Sequence, residues 1–533
     1  MRPISRRRIL ASAAGAVAGA TLGAPLVRAQ KGRQTLRFVA EADLGVLDPI
    51  WQTAYITRNH GYMVYDTLFG TDESLRVRPQ MVDRTQVTED GMRYTFTLRD
   101  GLRWHDGQPV LSEDCVESLK RWGQRDRFGR LLMAHTGRLA AVDRKTFTLE
   151  LAEPFGPVLE ALGKPSSNVP FMMPARIAAT PAQQQITEVV GSGPFKFATD
   201  EWKRGDQVVY VRNPDYVPRN EAPSGSAGGK KVYLDRVIWR YMPDPWAAAE
   251  ALTAGEVDWW QEPPLDFFPK IEQDPDLQTF LFDPLGAQGW LRPNHLHPPF
   301  NNKKAREALL HMMDQVTYLS WAHGHGHAKY YRPCYSVFAC RGPYATKIGA
   351  EPIVNHDLSR ARQLVKESGY DGRPVVVIHV TDRTHLNAAA IVTRNRLASI
   401  GFNVILKGMD WSTNLTVRAR KEPPERGGWN LLHTWWMAAD VLNPAVHFGV
   451  GGAGPAAWFG WPDIPQLEKL TTDWVRATDP AKRKQIAEEI QRTALREVAY
   501  VPWGEWVQPT AFRKNVQGAL KFNAPLFWNV RIT

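Results

Sequence analysis

The segment Tyr94–Lys120, YTFTLRDGLRWHDGQPVLSEDCVESLK, carries the clearest local pattern in this 533-residue chain. Residues 94–98 alternate apolar side chains with threonines, which is typical of a half-buried strand. Two Asp-Gly dipeptides then predict turns. Ser112 precedes two acidic residues and is predicted to be the N-cap of a helix around residues 115–122. The segment therefore predicts a strand, a turn and a helix in that order.

The order and identity of these residues resemble the signature segment of the family 5 extracellular solute-binding proteins. Members of that family are periplasmic receptors for peptides, nickel and related solutes, and they supply ABC importers. Further segments match the family in the same order along the chain: Leu47-Asp48-Pro49, Val64–Leu68, Gly191–Phe195, Asn213–Tyr216, Ala254–Asp258, Asn302–Leu309 and Ile400–Val404. Because these matches cover nearly the whole mature sequence, the chain is identified as a member of the family.

The resemblance implies an α/β, periplasmic-binding-protein-like fold with two lobes and an additional inserted domain. A mature chain of about 500 residues also exceeds what one hydrophobic core supports. The expected ranges are 30–60, 189–284 and 497–533 for a discontinuous lobe I, 61–188 for the inserted domain, and 285–496 for lobe II. The hinge is expected near Asp283-Pro284 and Ala499–Pro502.

Residues 1–29 are predicted to be a twin-arginine signal peptide that is not part of the fold. Ser5–Leu10, SRRRIL, carries the arginines of that signal, and a weakly apolar Ala/Gly stretch follows it. Val27-Arg28-Ala29 is a plausible cleavage site. No cysteine lies near that site, so a lipid anchor is not expected. The sequence predicts a soluble periplasmic protein that is exported already folded.

The charge of the mature chain is only modestly positive. The full chain has a formal charge of +11, and the signal segment contributes five arginines and no acid, which leaves +6. No run of five or more basic residues occurs in the sequence. This pattern argues against nucleic acid as a partner.

Three cysteines occur in the chain. Cys115 lies on the apolar side of its predicted helix and is expected to pack in the core. Cys334 and Cys340 bracket a short loop and can form a disulfide in an oxidising compartment, with free thiols as the alternative. Nothing in their spacing resembles a paired-cysteine zinc site.

The later half of the chain alternates helix and strand patterns. Asp357 is predicted to cap a helix, and Val375–Val380 reads as a buried strand. A second helix at 391–400 and a strand at Val404–Leu406 follow, and Asp479-Pro480 is predicted to begin another helix. This alternation predicts a parallel-rich sheet with a ligand at the strand ends, facing a cleft.

Motifs typical of catalysis are missing from the sequence. It contains no Gly-x-Ser-x-Gly nucleophile elbow, no Walker loop, no His-Glu-x-x-His and no dinucleotide fingerprint. We therefore predict a binding protein and not an enzyme, and we expect no cofactor.

The strongest site candidate is the segment Trp435–Pro444, which follows a probable strand at Asn430–His433. The resemblance implies a role for Asp440, because peptide-binding members carry an aspartate four residues before the proline and pair it with the α-ammonium of the ligand. A buried carboxylate needs such a cationic partner. The alternative is that Asp440 caps a helix or pairs with an arginine of the protein.

This segment also departs from the family. The arginine that often binds a peptide carboxylate would fall near His433, and Arg418 lies near a second such position on a predicted helix. Asn443 replaces the acidic residue that often precedes the proline. These differences argue against a simple dipeptide and leave an amine-bearing or polar ligand open.

Aromatic residues form the next group of candidates. Trp435 and Trp436 would face opposite sides of a strand, so at most one of them is expected to line the cleft. Trp51, Thr53 and Tyr55 follow the Leu47-Asp48-Pro49 loop, where members of the family present groups to the ligand. We predict all five as ligand contacts.

His323, His325 and His327 form a metal-like tract in a glycine-rich loop. Alternate histidines can converge on a transition metal, but no carboxylate is evident nearby. A flexible surface loop is the favoured interpretation, so no metal site is predicted.

Together these observations predict a substrate-binding protein of an ABC import system. It would hold a short peptide or peptide-like amine between two hinged lobes and deliver it to an inner-membrane permease as a monomer. A receptor for nickel or a metal chelate is the first alternative. A secreted hydrolase and a periplasmic peptide chaperone are alternatives from other classes.

Overall fold

Three β-sheets organise residues 34–533, which are the part of the chain that this computed structural model describes. Those residues form one compact unit. The predicted signal peptide and its cleavage site lie outside the described residues. Three two-stranded pairs complete the β structure: Asp66–Thr67 with Phe171–Met172, Phe69–Thr71 with Val77–Pro79, and Val516–Gln517 with Arg531–Ile532.

Sheet 1 combines strands from distant parts of the chain. Its spatial order is Phe195–Phe197, Gln207–Arg212, Arg236–Arg240, Thr35–Val39, Trp259–Trp260, Thr510–Arg513 and Leu277–Phe280. Thr35–Val39 pairs in parallel with Arg236–Arg240 on one side and Trp259–Trp260 on the other. The remaining pairs in the sheet are antiparallel. The carboxyl ends of the three parallel strands therefore meet at one edge of sheet 1.

Sheet 2 has six strands in the order Tyr331–Arg332, Val501–Trp506, Ala287–Pro293, Leu431–Met437, Val375–Val380 and Val404–Met409. Only Leu431–Met437, Val375–Val380 and Val404–Met409 run parallel to one another. The other three pairs are antiparallel, so the sheet is mixed and not parallel-rich as predicted. The reason is that Ala287–Pro293 and Val501–Trp506 carry the chain into and out of this sheet.

The chain crosses between sheets 1 and 2 at two places. Residues 281–286 form the first crossing, and this matches the expected hinge at Asp283-Pro284. The second crossing is at residues 507–509, which lie beyond the expected hinge at Ala499–Pro502. Val501–Trp506 pairs within sheet 2, so the chain reaches sheet 1 about ten residues later than the predicted lobe I boundary at residue 497.

Sheet 3 lies within residues 82–151 and is antiparallel throughout. Its strands are Val82–Val87, Arg93–Leu98, Thr146–Leu151 and Thr136–Ala141. The predicted alternation in Arg93–Leu98 is confirmed, because Tyr94, Phe96 and Leu98 are buried. This strand pattern was visible in the sequence because both of its faces follow the two-residue period.

The helix after this sheet is Ser112–Trp122, and its N-cap is Leu111 and not Ser112. Asp114 Oδ2 accepts a 2.8 Å hydrogen bond from the backbone N–H of Leu111. Ser112 instead donates its hydroxyl to the carbonyl of Asp143. Asp114 therefore satisfies the helix start from its third position, a role that the prediction gave to Ser112. Cys115 is fully buried in the core, as expected.

The α-helices surround the sheets. Their bounds are Tyr55–Val64, Ser112–Trp122, Arg127–Ala134, Val158–Leu162, Ala175–Ala178, Pro245–Ala254, Phe268–Gln273, Lys303–Met312, Gln315–His323, Glu351–Val354, Leu358–Glu367, Thr384–Ser399, Trp411–Val417, Pro465–Arg476 and Pro480–Arg496. Asp357 and Asp479 cap the helices that follow them, as predicted. Over residues 34–533, none of these helices has the length and apolar character needed to span a membrane.

Two covalent or ionic ties fix loops near the cleft. Cys334 and Cys340 form a disulfide with their Cα atoms 5.9 Å apart. Arg121 and Asp48 form a buried ion pair of 2.6 Å that joins the Leu47-Asp48-Pro49 loop to the helix Ser112–Trp122. Because both charges are removed from water, each depends on the other for stability.

Candidate ligand-binding cleft

Three adjoining cavities lie between sheet 1 and sheet 2. The Arg418 cavity, the large cavity and the Asp283 cavity have volumes of about 20, 240 and 40 Å³. Glu41 and Arg383 border both of the first two, and Glu262 and His385 border the last two. The shared residues make these spaces one continuous cleft with walls from both sheets.

The sheet 1 wall comes from the carboxyl ends of its parallel strands. Glu41 lies two residues after the strand Thr35–Val39, and Glu262 lies two residues after Trp259–Trp260. These strands are paired in parallel, with Val39 opposite Trp260. The pairing brings the two glutamates to one edge of the sheet although they are more than 200 residues apart in sequence. Ligands of α/β proteins bind at such an edge.

The sheet 2 wall follows the same rule. Arg383 immediately precedes the helix Thr384–Ser399, which follows the parallel strand Val375–Val380. Trp411 begins the helix after the next parallel strand, and Trp435 lies near the end of the third. All three residues line the cleft. The expectation of a ligand site at the strand ends therefore agrees with the position of the cavities.

Arg418 is the buried cation of the cleft. Its guanidinium lies 5.7, 5.6 and 4.9 Å from the ring centres of Trp411, Trp458 and Phe459. The side chain is 5% exposed, and its Nε has no hydrogen-bond partner within residues 34–533. Burial lowers the pKa of Arg418 to about 9, so the group stays cationic at neutral pH. A buried cation surrounded by rings lacks an anion that a ligand can supply.

Asp440 is completely buried at the junction of the two lobes. Its Oδ2 accepts hydrogen bonds from the hydroxyls of Tyr55 and Ser166, at 2.9 and 2.8 Å. The Tyr55 hydroxyl accepts a further bond of 2.7 Å from the backbone N–H of Met437. Asp440 Oδ1 has no partner within the described residues. Burial raises the pKa of the Asp440 carboxyl, and Lys164 is the main group that opposes this effect.

The position of Asp440 differs from the prediction that it faces the ligand directly. Tyr55 lies between this carboxylate and the cleft, and Tyr55 lines the Arg418 cavity whereas Asp440 borders none of the three cavities. The cause is local: the helix Tyr55–Val64 places its first side chain over the segment after strand Leu431–Met437. Arg58 on the same helix donates a 2.7 Å bond to Ser166 and extends the network.

Carboxylates dominate the remaining surface of the cleft. Burial raises the pKa of Glu262 to about 8, and the nearby Glu41 raises it further. Burial also raises the pKa of Glu41 itself. The pKa of Asp283 is raised to about 7 by burial, although two backbone N–H groups oppose this shift. Glu41 Oε1 and Asp283 Oδ2 have no hydrogen-bond partner within the described residues.

The other aromatic candidates divide between cleft and core. Trp435 lines both small cavities, and Trp436 borders the Arg418 cavity, so both residues reach the cleft and not at most one. The Trp436 ring stacks on Trp290 with centroids 5.3 Å apart, so its other face packs inward. Thr53 lines the Arg418 cavity as expected. Trp51 borders none of the three cavities and lies instead against the Arg125 guanidinium, 5.0 Å from its ring.

His433 lies in the core and not in the cleft. Its Nε2 is 2.8 Å from the hydroxyl of Thr393 on the helix Thr384–Ser399. Burial lowers the pKa of His433 to about 3, so the ring is neutral. The two-residue period of the strand explains this position, because it turns His433 toward the helix that covers the sheet.

The histidine tract does not converge on one point. His323 ends the helix Gln315–His323 and lines the large cavity, where its Nε2 has no partner among residues 34–533. His325 lies in the following turn, and His327 is 3.4 Å from Asp266, a carboxylate that the sequence did not place nearby. Within the described residues, the one cluster with metal-ligand geometry is Cys334, Cys340 and Glu505, and the disulfide occupies both of its sulfur atoms.

Glu41, Glu262, Asp283 and Arg383 were not predicted as site residues. Each lies close to a strand end, at a position that carries no local motif. The signal that could have identified them is the pairing of strands 200 residues apart, which a single sequence does not reveal. The class of protein defined by this fold and cleft is a two-lobed solute-binding protein.

Comparisons with known proteins agree with that class. The sequence profile of the bacterial extracellular solute-binding proteins, family 5, matches residues 76–458. The probable peptide ABC transporter periplasmic-binding protein y4tO of Sinorhizobium fredii is 38% identical over 541 aligned positions, which cover 99% of both chains. The glutathione-binding protein GsiB of Escherichia coli K12 is 22% identical, with 89% of each chain covered.

Solved structures share the fold at lower identity. AgaA of A. tumefaciens R10, in complex with agropinic acid, aligns with a TM-score of 0.79 at 22% identity and covers 94% of this chain and 99% of its own. DppA of Helicobacter pylori, in complex with the peptide STSA, gives a TM-score of 0.78 at 21% identity and covers 94% and 98%. The chain belongs to family 5 of the bacterial extracellular solute-binding proteins, and the predicted membership is confirmed.

Proposed function

We propose that this chain is the periplasmic substrate-binding protein of an ABC import system and that its ligand is a short peptide or a peptide-like amine. The relative y4tO, named as a probable peptide-binding component of such a system, supports this assignment over the full length of the chain. The proposed partner is an inner-membrane permease. Export by a twin-arginine signal, a monomeric state and the lack of any catalysed reaction are parts of the same proposal.

The observation that carries the proposal is the buried Arg418 guanidinium in the cleft wall. It has aromatic neighbours on several sides and no anion beside it, since desolvation alone shifts its pKa. A ligand carboxylate would provide that anion and form a charge-assisted, bidentate contact. Trp435, Trp436 and Thr53 would form the surrounding contact surface.

Asp440 is proposed to act through Tyr55. Its carboxylate and the Met437 N–H hold the Tyr55 hydroxyl from two sides, and this ties the first helix of the chain to the strand Leu431–Met437. The contact joins the two lobes in the closed form. Asp440 is therefore a positioning residue in this proposal, and Tyr55 is the residue that contacts the ligand.

The experiment is calorimetric titration of the mature chain with dipeptides to tetrapeptides, together with native mass spectrometry of protein purified from its own host. We expect saturable binding of peptides with a free carboxyl terminus and weaker binding of the matched C-terminal amides. Recovery of cleaved peptide would favour a hydrolase, and suppression of aggregation without a discrete ligand would favour a chaperone. Equimolar nickel retained after chelator washing would favour the metal-chelate alternative.

A further inference from the structure

The large cavity between the lobes has an excess of negative charge. Its lining carries the carboxylates Glu41, Glu262, Asp266 and Asp382, against the single guanidinium of Arg383. Asp266 and Asp382 are at the exposed rim, whereas Glu41 and Glu262 lie deeper and are partly buried. The two glutamates raise each other's proton affinity, which means that their charges face the same small volume. A ligand cation placed there would be attracted by both groups.

Unpartnered polar side chains surround this volume. His323 is 8% exposed and lines the large cavity with an Nε2 atom that makes no hydrogen bond within residues 34–533. Asp283 is 6% exposed, lines the adjoining cavity with Glu262, and has an unpartnered Oδ2. Buried polar atoms are nearly always satisfied in folded proteins. Several such atoms around one cavity therefore indicate a ligand that supplies hydrogen-bond donors.

Aromatic rings complete the cavity. Trp260 and Trp321 line it from the two lobes, and Trp435 and Trp506 line the neighbouring Asp283 cavity. Indole faces attract ammonium and guanidinium groups and also cover the apolar stem of a basic side chain. The volume of about 240 Å³ is slightly below the usual 300–1,000 Å³ of pockets for drug-sized ligands. It suits one extended side chain and not a whole peptide.

We propose that the large cavity is a subsite for a basic side chain of the ligand, whose ammonium or guanidinium group lies between Glu41 and Glu262. This inference rests on the proposed function, because it names the ligand class of the same cleft. The ligand is then a peptide or peptide-like solute with a carboxylate at Arg418 and a basic group at the glutamate pair. The cation is recognised by the sheet 1 lobe, and the lobe-closing Asp440 is not its partner.

The test compares peptides that differ only in charge. The mature chain is titrated with dipeptides and tripeptides that contain lysine or arginine, and with the same peptides that contain norleucine or citrulline instead. We expect the basic peptides to bind at least tenfold more tightly. Glu262→Gln and Glu41→Gln are expected to remove most of that preference while leaving affinity for the neutral peptides within about threefold.

Glu89→Gln is the matched control variant, because Glu89 is an exposed carboxylate in the turn that follows the strand Val82–Val87 of sheet 3. It changes the net charge equally and is expected to keep the full preference. Equal affinity of the wild-type chain for basic and neutral peptides would overturn the subsite while leaving the proposed function in place. If no peptide binds, the proposed function fails, and arginine and citrulline become the probes. A lack of preference between those two would overturn the subsite as well.

Discussion

The hydroxyl of Tyr55 donates a 2.9 Å hydrogen bond to Oδ2 of Asp440, a residue 385 positions later in the chain. The same hydroxyl accepts the N–H of Met437, so the side chain is held from two directions by the lobe opposite to its own. Tyr55 also packs under the Arg58 guanidinium, which lies 4.6 Å from its ring. This contact connects closure of the lobes to the wall of the cleft.

The first prediction concerns this contact. Tyr55→Phe leaves the Met437 N–H and the Asp440 carboxylate each without a buried partner, at a cost of ~1–3 kcal/mol to the closed form. We expect ligand affinity to fall by roughly tenfold or more. Small-angle scattering of the ligand-free variant should give a larger radius of gyration than that of the wild type.

Tyr94→Phe serves as the control for the loss of a hydroxyl, because Tyr94 lies in the strand Arg93–Leu98 of sheet 3, remote from the three cavities. Its affinity and radius should match those of the wild type. An unchanged radius and affinity for Tyr55→Phe, with normal folding, would show that the Tyr55–Asp440 contact does not stabilise the closed form.

Arg418→Met is the second prediction. The substitution removes a buried cation that has no anion beside it, so the free energy of unfolding of the empty protein is expected to stay the same or rise by ~1–4 kcal/mol. Binding of ligands with a free carboxylate should weaken by ~1.5–3 kcal/mol, and binding of their amides should change little. Calorimetry with both ligand forms and chemical denaturation would measure the two effects.

Arg420→Met is the matched control, because Arg420 is two residues further along and exposed. It is expected to alter neither quantity. If Arg418→Met weakened acid and amide ligands equally, the guanidinium would have a packing role and not a carboxylate-binding role.

The third prediction concerns stability and pH. The folded-state pKa of Asp283, about 7, is above its ordinary value, so the folded protein binds a proton more tightly than the unfolded chain does. The stabilisation from this proton is complete below about pH 4, and it is lost as the pH rises through 7. Asp283→Asn should flatten this loss and raise the unfolding free energy at pH 8 by a few kcal/mol, on the order of 1–3.

Denaturant unfolding at several pH values between 4 and 9 would measure this difference between the wild type and Asp283→Asn. The backbone bonds from Leu285 and Gly286 to Asp283 Oδ1 can be kept by the asparagine carbonyl oxygen. Parallel pH profiles for the two proteins would show that Asp283 does not titrate in this range.

Local chemistry was readable from the sequence, whereas long-range pairing was not. Asp357 and Asp479 cap their helices because all the groups involved lie within four residues. Ser112 was misassigned because Asp114, two residues away, provides a competing acceptor. The order of sheet 1 depends on Thr35–Val39 pairing with a strand 200 residues later, and no local pattern encodes that partner.

The candidate site followed the same division. Tyr55, Thr53, Arg418, Trp435 and Trp436 line the cleft, and each was proposed from its place in a segment that resembles the family. Positions that depend on which strand face points inward were harder to assign, as His433 and Trp51 illustrate. The acidic residues of sheet 1 required knowledge of strand order, so the charge of the large cavity could not be anticipated.

The final prediction follows from the surroundings of Glu262. Its carboxyl is influenced by Glu41, which raises its pKa, and by the guanidinium groups of Arg383 and Arg58, which lower it. His385, Asp283 and Gln508 share its second cavity. In the empty cleft its pKa is raised to about 8 by burial, so at pH 7 most molecules carry a neutral Glu262.

A bound cation favours the ionised carboxylate, so its binding at pH 7 should release close to one proton. The dissociation constant for a lysine- or arginine-containing peptide should fall by up to tenfold per pH unit between pH 6 and 8 and then level off. Titration calorimetry in buffers of different ionisation enthalpy would count the proton directly. Because Glu262→Gln cannot titrate, it should reduce both the proton release and the pH dependence. Should that variant retain the wild-type pH profile, another group would control binding, and the neighbouring Glu41 would be the next carboxylate to replace.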